Sequence, residues 1–278
     1  MSIQSAKTDM DIYFSETADS TYASTHFHNV HRIILITDGE ARIEVADKSY
    51  SVSENTLIFI SNLEKHSVKI LRAPYKRYVI SLPQDFGYMV PNHSPLLSIL
   101  VQRPESFSHA IKLDAGTVDE IRKLVTLMLA ERIEQRAFWT ERFMISAMEL
   151  LILLYRYSSA AFPVNEVNNA VRIVSEVQQY MVRNGDQEIS LDSMANRHFV
   201  SKYYLSHIFK TITGYTFKNY LILLRLSLAK DLLLHTDHSV TDVCLQAGFN
   251  NVNHFIRIFK DAEGITPYQY KKRNLHRE

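Results

Sequence analysis

One stretch of this chain occurs twice at a spacing of 50 residues, and a repeat of that kind marks a structural unit that the fold uses twice. The first copy, Ser201-Lys-Tyr-Tyr-Leu-Ser-His-Ile-Phe-Lys210, continues through Gly214, Thr216 and Tyr220. The second, Asn251-Val-Asn-His-Phe-Ile-Arg-Ile-Phe-Lys260, continues through Gly264, Thr266 and Tyr270. Upstream of each lies a short helical segment, Ser190 to His198 and Ser239 to Ala247. Each opens on a serine of N-cap type, and Asp242 completes a Ser-x-x-Asp box in the second. The upstream segments are offset by 49 residues, so the second turn is one residue longer, with Gly248 supplying its reversal. Leu205, Ile208 and Phe209 in one copy, and Phe255, Ile258 and Phe259 in the other, give each second helix one apolar face. A short helix, a tight turn and a second helix of this kind form a helix-turn-helix unit, whose second helix can present its other face to a major groove.

Between the two units, Phe217 to His235 reads as one helix with Tyr220, Leu221, Leu224, Leu228, Leu232 and Leu233 as its core stripe. Its residues at 1.5 Å each span about 28 Å, close to the roughly 34 Å of one DNA turn. Charge points the same way. Residues 171–278 hold 14 Lys and Arg against 10 Asp and Glu, whereas residues 1–170 hold 17 against 20, although the whole chain carries only +1. The carboxy-terminal part is thus the one suited to a polyanion.

A chain of 278 residues with 46% hydrophobic and 22% charged residues has material for two ordinary cores. The longest apolar run, Leu150 to Tyr155, is far shorter than a membrane-spanning helix needs, so no membrane partner is expected. The amino terminus shows no secretory signal, and the single cysteine, Cys244, excludes an internal disulfide framework. Both fit the cytoplasm. Cys244 aligns with Ala195 in the repeat and reads as a small core residue.

The amino-terminal half changes period. Short strands are expected at Ile33–Ile36, Arg42–Ala46, Leu57–Ile60, Ser67–Leu71 and Tyr78–Ile80, with Asp38-Gly39 as a hairpin turn. Thr117 and Glu120 can form a capping box, opening a helix with Ile121, Leu124, Val125, Met128 and Leu129 at helical spacing. A second helix runs from about Phe138 to Tyr157; its apolar surface is broader than one face, so the strand domain or a second subunit must cover it. The stretch from Ser158 to Asn169, with Pro163, has linker composition. The expected fold is α+β and multidomain: strands over 1–116, a helical dimerisation segment over 117–158, a linker over 159–169 and an all-α domain over 170–278.

Residues from about 173 to 274 resemble the DNA-binding domain of the AraC/XylS family of bacterial transcription regulators. The resemblance rests on Gly248-Phe249, Phe255, Arg257, Phe259-Lys260, Gly264, Thr266-Pro267 and Tyr270, together with Tyr220-Leu221, Arg225-Leu226 and Ala229-Lys230. It departs at Lys271, where the family usually carries Arg after the final Tyr. The family's docking implies that Tyr203, Ser206 and His207 face base edges in one unit and Asn253, Ile256 and Arg257 in the other. Ser201, Lys202, Lys210, Asn251 and Lys260 complete the DNA-facing set, with the lysines and Asn251 suited to phosphates. Arg225 in the connecting helix serves either a structural pair or DNA; Lys271, Lys272 and Arg273 form a solvated tail or touch DNA.

The strand domain resembles the cupin barrel of AraC-family sensing domains, through His26 and His28, Gly39 eleven residues on, and His66. Metal cupins place a Glu where this chain has Arg32, and a Pro and a Gly where it has Ser61 and Leu63. A positive charge in place of a carboxylate opposes a metal, so no cofactor is expected. His26, His28, Arg32 and His66 become candidate effector-binding residues, with Arg32 able to hold a carboxylate or simply to be a structural arginine. The expected function is non-enzymatic regulation of transcription: double-stranded promoter DNA as partner, a homodimer, and RNA polymerase and a small-molecule effector as candidate further partners. The alternative is a metal-dependent cupin enzyme fused to a DNA-binding module.

Overall fold

Alternating apolar residues at Ile34, Ile36, Ile58, Ile60 and Val79 give the amino-terminal half a sheet with a buried inner face. The computed structural model describes residues 10–19, 22–45, 47–83, 86, 100, 107–159 and 169–274, and the chain divides into two units, Met1–Glu166 and Val167–Glu278. Among the described residues the first unit holds β1 (Asp11–Thr17), β2 (Tyr22–His26), β3 (Val30–Val45), β4 (Lys48–Ser53), β5 (Thr56–Ile60), β6 (His66–Pro83) and β7 (Ala110–Lys112). All pairings are antiparallel. The order is β1-β6-β3-β5-β7, with β2 also on β6 and β4 also on β3.

The two long strands correct the sequence reading. Asp38-Gly39 is not a hairpin turn: β3 runs through it and pairs with β6 from Val30 to Val45, with register shifts between Ile36 and Ala41. Gly39 has φ +83°, and a Cβ there would lie 2.5 Å from the Pro74 carbonyl oxygen and 2.8 Å from that of Arg72. The glycine is required by a bulge at which two strands approach closely, an event set by residues more than thirty positions away. Both halves of the bent β3 contribute to one core, Ile34 and Ile36 from the first and Ala41, Ile43 and Val45 from the second, so the sheet wraps around it. β1, β2, β4 and β7 lie outside the strands expected from sequence.

The sheet's other face, with Ile33, Leu35, Leu57, Phe59, Ile80 and Leu82, packs against α1 (Ala115–Glu134) and α2 (Trp139–Tyr157). Asp114, not Thr117, caps α1; its carboxylate accepts from the Thr117 amide at 2.8 Å. Phe143, Leu150, Leu151 and Leu154 of α2 are fully buried in this layer, so the breadth of its apolar surface is explained by the sheet and α1. Most of the linker expected at 159–169 lies outside the described residues.

In the second unit the sequence signals are local and the helices begin and end where those signals stand. α3 (Asn169–Asn184) precedes α4 (Leu191–Arg197), α5 (Lys202–Thr213), α6 (Phe217–His235), α7 (Val240–Gln246), α8 (Val252–Glu263) and α9 (Pro267–Asn274). Ser239 and Asp242 form a reciprocal capping box on α7, and Ser190 and Ser193 form one on α4. Gly214 and Gly264 end α5 and α8 at φ +77° and +76°. In α6 the expected one-sided stripe is wrong at Leu228, which is 38% exposed, while Leu223, Leu226 and Ala229 are buried. A helix that packs on both repeats must bury more than one face.

Candidate nucleic-acid interface

The two repeats share their turn and cap hydrogen bonds. Val200 donates to the Ala195 carbonyl and Phe249 to that of Cys244, closing the two turns in the same way. The left-handed residue of the first turn is Phe199, at φ +55°, and that of the second is Gly248, at φ +85°. Cys244 is fully buried and its thiol donates to the Phe249 carbonyl at 3.6 Å; burial pushes its pKa up, as suits a core residue. Phe209 and Phe259 are also fully buried, Phe209 against Phe217 and Tyr220, Phe259 against Phe255 and Tyr270.

Burying those faces turns the opposite ones outward. Lys202, Tyr203, Ser206, His207 and Lys210 on α5 are exposed, and so are Asn253, Arg257 and Lys260 on α8; Ile256 is half-buried. Tyr203 is 85% exposed, an unusual position for a large aromatic. Two of the expected DNA contacts have other work. Ser201 Oγ accepts from the Tyr204 amide at 3.1 Å and Asn251 Oδ1 from the His254 amide at 2.9 Å, so both side chains are N-caps. Lys202 pairs with Asp192 at 2.7 Å across the turn, an exposed pair that another anion can readily replace.

Three residues are clarified by their partners. Arg225 donates to the carbonyls of Gly185 and Gln187 at 2.7 and 2.6 Å, fixing the loop after α3. Lys271 donates to the carbonyls of Thr236 and His238 at 2.9 and 3.0 Å, closing the carboxyl end of α6, so it is no free tail residue. His254, which the sequence reading passed over, is exposed and its Nδ1 lies 3.3 Å from Arg257 Nη2. The i, i+3 spacing of the two residues is the signal that could have found it.

In the sheet unit the other candidates converge. Cross-strand partners share a face, so Arg32 lies with Ile60 and Ser81, and His66 with Val45 and His26, on the inner side of the sheet. The rings of His26, His28 and His66 have centroids 4.3 to 5.4 Å apart, and their nitrogens lie within 4.8 Å of one another. Three neutral imidazole nitrogens at that spacing could reach one ion, as in three-histidine zinc sites, while the positive charge of Arg32, which acts on His66, opposes a divalent cation there. Burial, then the neighbouring His26, hold His66 down to about 4, and it is neutral at physiological pH. Burial likewise lowers the pKa of Arg32, whose Nε has no hydrogen-bond partner among the described residues.

Comparison with known proteins matches both halves. Residues 8–138 fit the family model of the AraC-like ligand binding domain and residues 194–273 that of a helix-turn-helix domain. The chain is 26% identical over 251 residues to the HTH-type transcriptional activator RhaS of Enterobacter sp. (strain 638), covering 89% of this chain and 87% of that one. It is 26% identical over 245 residues to RhaS of Salmonella schwarzengrund (strain CVM19633), covering 87% and 85%. Among solved structures, ToxT from Vibrio cholerae shares the fold across 95% of this chain and 98% of its own, at a TM-score of 0.62 and 13% identity. No helix among the described residues is long and apolar enough to cross a membrane. With a ligand-binding sheet domain followed by paired helix-turn-helix units, the chain belongs to the AraC/XylS family of DNA-binding transcription regulators.

Proposed function

We propose that α5 and α8 enter successive major grooves on one face of promoter DNA, with Tyr203, Ser206 and His207 reading one segment and Asn253, Ile256 and Arg257 the other. The supporting observation is the exposure of these faces on two helices whose opposite faces are locked into equivalent cores. Lys202, Lys210 and Lys260 supply phosphate contacts, while Ser201 and Asn251 act through the helix ends that they cap. Arg257→Ala is expected to relax preference at one base position by about 1–3 kcal/mol, whereas Lys260→Ala weakens all sequences alike and lowers the salt slope by about one. Binding of a selected site and its single-base variants at several salt concentrations separates the two; a uniform loss for Arg257→Ala contradicts base reading.

The sheet domain, over about 1–116, takes a small-molecule effector on its inner face at His26, His28, Arg32 and His66, and the domain of 170–278 binds DNA in the cytoplasm. As a regulator of transcription the protein acts on RNA polymerase at the promoter. The helices of 117–158 join two copies, but through a different surface from the one their composition suggests. Leu151 is fully buried within its own unit and Leu127 is half-buried, whereas Ile133 and Ile145 are 72% and 62% exposed. Ile145→Glu is therefore expected to shift the protein toward monomer in sedimentation without lowering its melting temperature, and Leu151→Glu to unfold the domain. A natural protein that is monomeric at micromolar concentration contradicts this part.

A further inference from the structure

We propose that the effector is a small organic monocarboxylate, its anionic group held by Arg32 and its apolar body laid against Ile34, Ile60 and Val79 on the inner face of the sheet. This rests on the reading of that face as the effector site and adds the chemical class of what it takes.

Arg32 is largely withdrawn from water, and the strongest influence on it is desolvation, which is the expense of a guanidinium that has no counter-ion among the described residues. The groups that act on it electrostatically are the Tyr13 phenol and a second arginine, Arg77. Arg77 occupies the same face, paired across the strands with Ile36 and Ser15, and donates to Thr17 Oγ1 at 3.3 Å. His66 registers the same field: beyond burial, His26 and then Arg32 depress it, while Glu64 raises it. Two carboxylates of this neighbourhood are committed elsewhere: Asp11, across the strands from Ser81, pairs with Arg132 at 2.7 Å, and Glu64, which acts on His66, has two partners of its own. Its Oε1 meets His109 Nε2 at 3.0 Å and its Oε2 accepts from the Ser61 amide at 2.7 Å.

A contrast within the same unit shows that this is not how the fold treats its arginines. An open cleft of about 330 Å³ on the outer face is lined by Phe14, Thr37, Glu54, Tyr78, Arg122 and Thr126. There Arg122 has its anion supplied, with Glu54 at 3.5 Å and Asn55 at 3.0 Å. Among the described residues no carboxylate forms an ion pair with Arg32. The core on the same face is mostly aliphatic, with Ile34, Ile58, Ile60 and Val79 buried there beside Tyr75. A guanidinium fork beside an aliphatic wall matches a carboxylate with an apolar body.

Calorimetric titration of the full chain with benzoate and octanoate, against benzamide and octanamide, reads the charge requirement directly. The acids are expected to bind at least about tenfold more tightly than their amides, and Arg32→Gln to remove that preference, while Arg122→Gln leaves it intact. If Arg32→Gln does not melt cooperatively, Arg32→Lys replaces it and is expected to keep the preference in weaker form, since the charge stays and the fork is lost. Equal binding of acids and amides, an unchanged preference in the variant, or no binding of either acid overturns the proposal. The effector reading is tested separately, by anisotropy of DNA selected by this protein from a random pool. A neutral compound that shifts DNA affinity while the acids do not bind sinks the acid and keeps the effector site; acids that bind without altering DNA affinity do the reverse.

Discussion

Replacing Lys230 with Ala is expected to destabilise the helical unit by about 3–5 kcal/mol, the usual loss when one partner of a buried ion pair is removed. Lys230 Nζ lies 3.0 Å from Glu263 Oε1, with side chains only 11% and 9% exposed. The pair ties the middle of α6 to the end of α8, and the carboxylate left behind stands near Tyr270, whose phenol is already pushed up to about 12 by burial and then by Glu263 and Asp231. A domain of this size holds roughly 5–15 kcal/mol in all, so the variant loses a large share of it. Denaturant melts of Lys230→Ala, Glu263→Ala and a Lys230→Met, Glu263→Leu double variant check the cause. The double variant is expected to recover most of the loss, because replacing both charges leaves none buried and unpaired. A double variant as weak as the sum of the singles means that the loss was packing and not charge.

Gly248→Ala is expected to cost about 2–5 kcal/mol, in two parts that a control separates. The first is the left-handed conformation, φ +85°. The second is crowding: a Cβ there would lie 2.7 Å from the Gly185 carbonyl oxygen, 2.8 Å from Arg225 Nε and 2.9 Å from Asp186 Cα. None of these can move freely, because Arg225 is the side chain that fastens the 185–187 loop. Gly214 has a similar φ, +77°, and nothing within 4 Å of its added Cβ, so Gly214→Ala should cost only about 1–2 kcal/mol. Phe199 makes the same point in the native chain, holding φ +55° with a side chain 96% exposed. The turn alone does not demand glycine; the neighbouring loop does. Equal melting temperatures for the two alanine variants contradict this account.

How legible these features were depends on how local their causes are. The helix-turn-helix units are written in caps, short turns and apolar spacing within about fifty residues, and α6 begins and ends at Phe217 and His235 as those signals require. Phe209, Phe259 and Cys244 could be assigned to the core because the repeat aligns each with a counterpart. Lys271, Arg225 and the pair of Lys230 with Glu263 could not, since each acts on a group more than thirty positions away. The same holds for β3, whose path through Asp38-Gly39 is decided by the approach of β6. The inner-face residues were found as a list, His26, His28, Arg32 and His66, but their common face appears only once the strand register is known. Ser201 and Asn251 show the opposite case. Their capping role was readable from sequence, while the resemblance marked the same two residues as DNA-facing.

One subunit is expected to read DNA through two units held at a fixed separation by α6. Footprinting with the isolated unit, residues 167–278, first shown to melt cooperatively, tests it most directly. Two short protected segments about one helical turn apart on one face of the duplex, differing in sequence because the reading positions differ, are the expected result. A single protected segment, unchanged when Arg257 is replaced by Ala, would contradict it and leave the second unit as a support for the first.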